Sequence, residues 1–171
     1  MCGIAGIAAP PGKAVRLIDL KRLAGEMIHR GPDDKGFYLS ENRQVGFAHR
    51  RLKVIDLDGG SQPMQNEDGT QVLIFNGEIY NYQSLREKLI EKGHNFMSKS
   101  DTEVIVHLYE EYGFASLDYL RGMFAFVIYD ATKNSLFGAV DRMGKKPLYY
   151  STINGFLYFA STFNALISLT S

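Results

Sequence analysis

The stretch Leu148-Tyr149-Tyr150-Ser151-Thr152-Ile153-Asn154-Gly155-Phe156-Leu157-Tyr158-Phe159-Ala160 reads as a β-hairpin. Asn-Gly is the strongest short signal for a type I′ turn, whose two central residues both take positive φ. The flanking segments Leu148–Thr152 and Phe156–Ala160 carry the aromatic and branched side chains that suit strands. Just upstream, Met123–Tyr129 and Ser135–Val140 flank a Thr132-Lys133-Asn134 turn. Strands joined by turns this short run antiparallel, because a parallel pair needs a crossover of a dozen or more residues.

Working outward, Gly3–Ala8, Gln44–His49 and Gln71–Asn76 read as further strands, the last preceded by a Glu67-Asp68-Gly69 turn. Residues Val15–His29 place Val15, Ile18, Leu23, Met27 and Ile28 at roughly helical spacing and stop before Gly31-Pro32. Tyr82–Lys92 is a second helix, with Leu85, Leu89 and Ile90 inward and Gly93 as its stop. Ser100-Asp101-Thr102-Glu103 has the form of a capping box, and Val104–Tyr112 continues it as a third helix. His29–Gly36 is polar and rich in Gly and Pro, and reads as a surface loop. The expected class is α+β, with antiparallel sheets and helices packed outside them.

The 171 residues suit one domain with a sizeable core. Lys plus Arg and Asp plus Glu number 19 each, so no charge excess favours a nucleic-acid or anionic-membrane partner. No apolar run nears the roughly 20 residues of a membrane span. The apolar start, Met1 to Pro11, lacks a basic leader region and reads as a buried strand. The single cysteine, Cys2, excludes an intrachain disulfide and a Cys-rich metal site, and the expected location is the cytoplasm. His29, His49, His94 and His107 show no ligand spacing, so each is read as structural and no metal site is expected. Phe37, Phe75, Phe124, Phe126 and Phe159 read as core.

Cys2 has a small side chain in second position, which lets methionine aminopeptidase remove Met1. The thiol would then share a residue with a free α-amine, whose pKa of about 7.7–8.0 leaves part of it unprotonated near neutrality. One residue would supply both nucleophile and general base. The bland alternative is a small apolar residue opening a strand.

Met1-Cys2-Gly3-Ile4-Ala5-Gly6 resembles the start of class II glutamine amidotransferases, which are N-terminal-nucleophile hydrolases. In order there follow His29-Arg30-Gly31-Pro32-Asp33, His49-Arg50-Arg51-Leu52, Gln62-Pro63-Met64, Phe75-Asn76-Gly77-Glu78-Ile79-Tyr80-Asn81 and Ser100-Asp101-Thr102-Glu103. Arg121-Gly122-Met123-Phe124-Ala125-Phe126 and Asp141-Arg142-Met143-Gly144-Lys145-Lys146-Pro147-Leu148-Tyr149-Tyr150 complete the set. Together these look like the glutaminase domain of the asparagine synthetase branch, over about residues 2–161.

The resemblance implies a four-layer α/β/β/α sandwich of two antiparallel sheets. It also implies roles. Cys2 is the nucleophile, and Asn76 with Gly77 forms the oxyanion hole, although Asn-Gly could equally be a hairpin turn. Arg51 grips the glutamine α-carboxylate, with Leu52, Val54 and Ile55 as pocket wall. Asp101, assisted by Glu78, takes the α-ammonium, against the alternative that Asp101 caps its helix. The His29–Asp33 segment is either a mobile lid or only a chain turn.

The implied reaction is hydrolysis of the glutamine side-chain amide through a thioester, supplying ammonia for an amidotransfer such as asparagine synthesis. It needs no metal or cofactor; ATP and Mg would belong to a synthetase domain or partner. The chain reads as a single glutaminase domain over residues 1–171, with no ATP-dependent synthetase domain in it. The partners implied are L-glutamine and a synthetase domain or subunit receiving ammonia, and a homodimer is left open. A non-catalytic glutamine-binding or regulatory module is the alternative, above all if Met1 is retained.

Overall fold

The computed structural model describes residues 1–53 and 60–169. Among them, nine strands form two sheets in which every neighbouring pair is antiparallel. In chain order the elements are β1 (Gly3–Ala8), α1 (Leu17–Gly25), β2 (Asp34–Leu39), β3 (Val45–Arg51), β4 (Met64–Gln65) and β5 (Gln71–Ile79). Then come α2 (Tyr82–Glu91), α3 (Asp101–Tyr112), a 3-10 stretch (Gly113–Asp118), β6 (Gly122–Asp130), β7 (Ser135–Val140), β8 (Tyr149–Ile153), β9 (Phe156–Ala160) and α4 (Phe163–Ile167). One sheet runs β2-β3-β1-β9-β8 and the other β4-β5-β6-β7.

Strand periodicity sorts the side chains into three packed layers. In β1, Ala5 and Ile7 turn to α1 and α4, where they meet Leu20, Leu23, Ala24, Ala165 and Leu166. Ile4 turns the other way and packs between the sheets with Phe47, Val72, Ile74, Ala125, Val127 and Phe159. On β5, Leu73, Phe75 and Ile79 face Val104, Ile105 and Leu108 of α3. The order is therefore helix, sheet, sheet, helix, and the antiparallel expectation holds throughout. Each fully buried aliphatic side chain in these layers contributes roughly 1.5–3 kcal/mol.

The type I′ turn is present, with φ of 52° at Asn154 and 81° at Gly155. Several boundaries differ from the sequence reading. Helix α1 is shorter than Val15–His29, and Ile18 and Ile28 are exposed. At about 100° per residue, Ile18 lies on the far side of the helix from Leu20, Leu23 and Ala24, which carry the contact. Ile90 is likewise exposed, and Leu85 and Leu89 alone of the expected trio are buried.

The His29–Gly36 loop is shorter than expected, because Asp34–Gly36 opens β2 at the sheet edge, paired with Arg51–His49. An edge strand tolerates polar residues. Gly36 is there because the Gln62 carbonyl fills the space of a side chain. The capping box is also only half made. Ser100 Oγ accepts the Thr102 N–H at 3.2 Å, but the buried Glu103 instead accepts the Met97 and Ser98 N–H groups at 2.6 and 2.7 Å. The short β4, the 3-10 stretch and α4 carried too little periodicity to be read.

Candidate active site

The layer between the sheets changes character along its length. The same face of β3 that buries Val45 and Phe47 continues to His49 and Arg51. The same face of β5 that buries Val72 and Ile74 continues to Asn76. Cys2, two residues before Ile4, stands at that polar end. A cleft of about 200 Å³ opens there, lined by Cys2, Arg51, Leu52, Asn76, Glu78 and Asp101 among others. Drug-sized ligands occupy pockets of about 300–1,000 Å³, so this one suits a molecule of amino-acid size.

Cys2 is held from three directions. Its Sγ accepts the Leu52 N–H at 3.5 Å and faces the Leu52 carbonyl at 3.7 Å. Its own carbonyl accepts Arg30 Nε at 3.0 Å. Strand β1 is pinned just beyond it, where Ile4 N–H donates to Ser161 Oγ at 3.1 Å and Ser161 N–H donates to the Ile4 carbonyl at 2.8 Å.

Asn76 is 1 % exposed, and its Nδ2 has no hydrogen-bond partner among the described residues. A buried donor without an acceptor costs on the order of 1–3 kcal/mol, which a ligand oxygen would recover. Asn76-Gly77 is not a hairpin turn, because β5 runs straight through it to Ile79 opposite β6. Gly77 is required by that neighbour, since a Cβ would strike the Met123 carbonyl and the Phe124 backbone.

Asp101 reaches beyond its own helix. Its Oδ2 accepts the Ile79 N–H at 2.9 Å, while Ser100 caps α3. Burial, and then the nearby Glu78, raise its pKa above the ordinary aspartate value. Arg51 ends β3 and is 4 % exposed. His49 beside it is buried, and its pKa is lowered to about 4, by desolvation first and with Arg51 adding to the effect.

The structure thus brings Cys2, Asn76, Gly77, Arg51, Leu52, Glu78 and Asp101 to one cleft. Val54 and Ile55, also expected there, lie outside the described residues. The His29–Asp33 segment borders the site through Arg30.

Two residues without an assigned role, Gln62 and Lys146, also line the cleft, and a third, Arg30, stands behind Cys2 on its carbonyl. Gln62 accepts the Phe75 N–H at 2.6 Å and so fixes β5 behind the site. Arg30 has a buried Nη2 with no partner among the described residues. Lys146 is 5 % exposed and contacts the Met1 sulfur, and burial, then Arg30, lower its pKa. The Asp141 carboxylate shapes the turn that presents Lys146, accepting N–H groups from Phe124, Met143, Lys145 and Lys146 at 3.0–3.2 Å. A second lysine between Gly144 and Pro147, just before the final hairpin, was the available signal.

The glutamine amidotransferase domain family matches residues 1–171. The chain belongs to that family. Among curated relatives, it is 46% identical to asparagine synthetase [glutamine-hydrolyzing] 2 of Bacillus subtilis (strain 168), over 98% of this chain and 22% of the relative. It is 43% identical to asparagine synthetase B [glutamine-hydrolyzing] of Escherichia coli (strain K12), over 98% of this chain and 30% of that protein. The chain thus spans less than a third of the length of these relatives. Among solved structures, the glutamine phosphoribosylpyrophosphate amidotransferase of B. subtilis, complexed with ADP and GMP, superposes with a TM-score of 0.80. That match has 21% identity and covers 99% of this chain and 44% of the other. At that identity the likeness establishes the fold, the four layers of the amidotransferase domain. No described helix of this amidotransferase domain is long and apolar enough to cross a membrane.

Proposed function

We propose that this glutamine amidotransferase domain hydrolyses the side-chain amide of L-glutamine through a thioester on Cys2, once Met1 has been removed. The observation that carries the reading is the convergence of the Cys2 thiol and the unpartnered Asn76 Nδ2 on one cleft that also holds Arg51 and Asp101. Arg51 and Asp101 take the substrate's α-carboxylate and α-ammonium, with Glu78 assisting. This fixes the length of side chain that reaches the thiol.

In the first half-reaction, the Cys2 thiol gives its proton to its own α-amine as sulfur attacks the amide carbon. The carbonyl π pair moves to oxygen, and Asn76 Nδ2 with the Gly77 N–H stabilises the oxyanion. Collapse breaks the C–N bond. The leaving nitrogen takes the proton from the α-ammonium and departs as ammonia, leaving the glutamyl thioester. In the second half, the amine removes a proton from water, whose oxygen attacks the thioester. Collapse expels the Cys2 thiolate, which recovers that proton, and glutamate leaves. Each step uses only groups of this chain, substrate and water. The ammonia would pass to a synthetase domain or partner, where ATP and Mg belong, for an amidotransfer such as asparagine synthesis. Such a chain would act in the cytoplasm, as a monomer or a homodimer.

With Met1 in place the Cys2 nitrogen is an amide and cannot act as a base. Such a chain would bind glutamine without turning it over, which is the alternative reading as a binding module. Intact mass after treatment with a glutamine-mimicking electrophile, together with a glutamate-release assay, tests both. Loss of Met1, one label on Cys2 and glutamate release abolished by Cys2→Ala support hydrolysis. Correctly processed protein that neither labels nor releases glutamate overturns it.

A further inference from the structure

On the outer helical layer, His94 and His107 meet although they are 13 positions apart in sequence. Their ring centroids are 4.8 Å apart. His94 follows the turn that ends α2, and His107 lies on α3 with Glu110. His107 Nδ1 is 2.7 Å from Glu110 Oε2, and His94 Nδ1 is 3.4 Å from the same oxygen. The three donor atoms all lie within 4.8 Å of one another. Glu67, on the turn between β4 and β5, brings Oε2 to 3.9 Å from His107 Nδ1.

The far side of each ring is equally specific. His94 Nε2 is 3.0 Å from Glu111 Oε1, and Lys92 holds Glu111 at 2.7 Å. His107 is 2 % exposed, and its Nε2 faces Glu103 at 3.8 Å without a hydrogen-bond partner. Glu110 is oriented by Asn66 Nδ2, which donates to its other oxygen at 2.8 Å.

Two imidazoles therefore present the same nitrogen to one carboxylate oxygen, and each turns its other nitrogen to a second carboxylate. At His94 the second contact, 3.0 Å to Glu111, is the carboxylate-behind-the-ring arrangement that orients metal-binding histidines, while Glu103 stands 3.8 Å behind His107. Donors around a tetrahedral zinc ion, at 2.0–2.1 Å from the metal, stand roughly 3.4 Å apart. The imidazole-to-carboxylate separations of 2.7, 3.4 and 3.9 Å lie around that value, and the three donors, which span up to 4.8 Å, would draw together on the ion. Nitrogen and carboxylate donors suit zinc among first-row divalent ions. Four carboxylates meeting two imidazoles and one lysine also leave negative charge for a cation to balance.

We propose that His94 Nδ1, His107 Nδ1 and Glu110, with Glu67 closing the fourth position, form a zinc site that fastens the α2–α3 connection to α3. The connection it fastens leads into Ser100 and Asp101. Glu103, behind His107, already holds its Met97 and Ser98 amides. The site lies outside the cleft and takes no part in the hydrolysis, so it stands or falls independently of that reading.

The test uses the full chain carrying Cys2→Ala, so that the thiol cannot be the ligand, after treatment with a chelator. Zinc is titrated by calorimetry, and cobalt(II) is added as a spectroscopic probe. The expected result is one ion per chain with micromolar or tighter affinity, a raised Tm, and the intense visible bands of tetrahedral cobalt. His94→Gln and Glu67→Gln, both nearer the surface than His107, should each weaken binding at least tenfold while circular dichroism shows the fold retained. Absence of saturable binding, or binding unchanged in both variants, overturns the proposal and leaves an ion-pair network.

Discussion

The Asp101 carboxylate accepts the Ile79 N–H at 2.9 Å, which ties the start of α3 to the end of the strand carrying Asn76 and Gly77. One carboxylate oxygen thus sets the distance between the part of the cleft expected to hold the substrate's ammonium and the expected oxyanion hole. Asp101→Asn keeps the shape and removes the charge. Loss of one charge-assisted hydrogen bond is worth about 1.5–3 kcal/mol, so KM for glutamine should rise roughly 10–100-fold, with kcat changed much less. Steady-state kinetics separate the two.

The same residue gives a pH signature. Its pKa is raised, by burial first and then by Glu78, and only the ionised form attracts an ammonium. Lowering the pH protonates Asp101 at values where an ordinary aspartate is still charged, so glutamine affinity should fall there. Asp101→Asn should lack this limb. Glutamine binding measured by calorimetry across mildly acidic pH distinguishes them.

Asn76 Nδ2 is buried in the cleft and has no partner among the described residues. Asn76→Ala should lower kcat for glutamate release about 10²–10³-fold, the usual cost of one oxyanion donor. Thermal stability should change little, because the substitution also removes an unsatisfied buried group. Labelling of Cys2 by an electrophile that forms no oxyanion should persist. A loss of labelling equal to the loss of turnover would argue against the assignment.

Gly77→Ala should fail for a different reason. The added methyl meets the Met123 carbonyl and the Phe124 backbone of the paired strand, which is not the flexible end of a side chain. Overpacking of this kind costs about 1–3 kcal/mol, or a drop in Tm of roughly 2–12 °C for a domain of this size. Calorimetric melting of the variant checks it.

His49 predicts acid sensitivity. Its folded pKa is about 4, below the unfolded value of 6.5, so the unfolded chain binds the extra proton in between. Stability contributed by the neutral ring is fully present above pH 6.5 and is lost as the pH falls toward 4, by at most roughly 3 kcal/mol. Urea unfolding of the wild type and His49→Gln between pH 7 and 4 should give curves that converge as the pH drops.

Much of this was legible because strand alternation and tight turns are local signals. The hairpin at Asn154-Gly155 and the run through β6 and β7 needed only neighbours in sequence. Elements decided by distant partners were not. Strand β2 looked like a loop because its polar residues sit at an edge, where pairing with β3 supplies what its own pattern lacks. Ile18 looked like core because spacing alone does not fix which face of α1 meets the sheet. The residues that the motifs named meet at one cleft, apart from Val54 and Ile55, which lie outside the described residues. Arg30 and Lys146 received no role, since a cation's part depends on what it faces. His94 and His107 offered no ligand spacing in sequence, and meet only because α3 folds back beside the end of α2.

Strand β1 is clasped by Ser161, 157 positions away, as well as by β3 and β9. During synthesis the cysteine end emerges first, and its strand waits for almost the whole domain before it can be seated. On the proposed reading, removal of Met1 would fall in the interval when the segment is still open to an aminopeptidase, and the closing of β9 beside β1 would then bury the strand behind the trimmed end. Folding and processing would thereby be ordered in time. The thiol acquires its cleft only when the domain around it is complete, so a growing or partly unfolded chain carries the cysteine without the cleft.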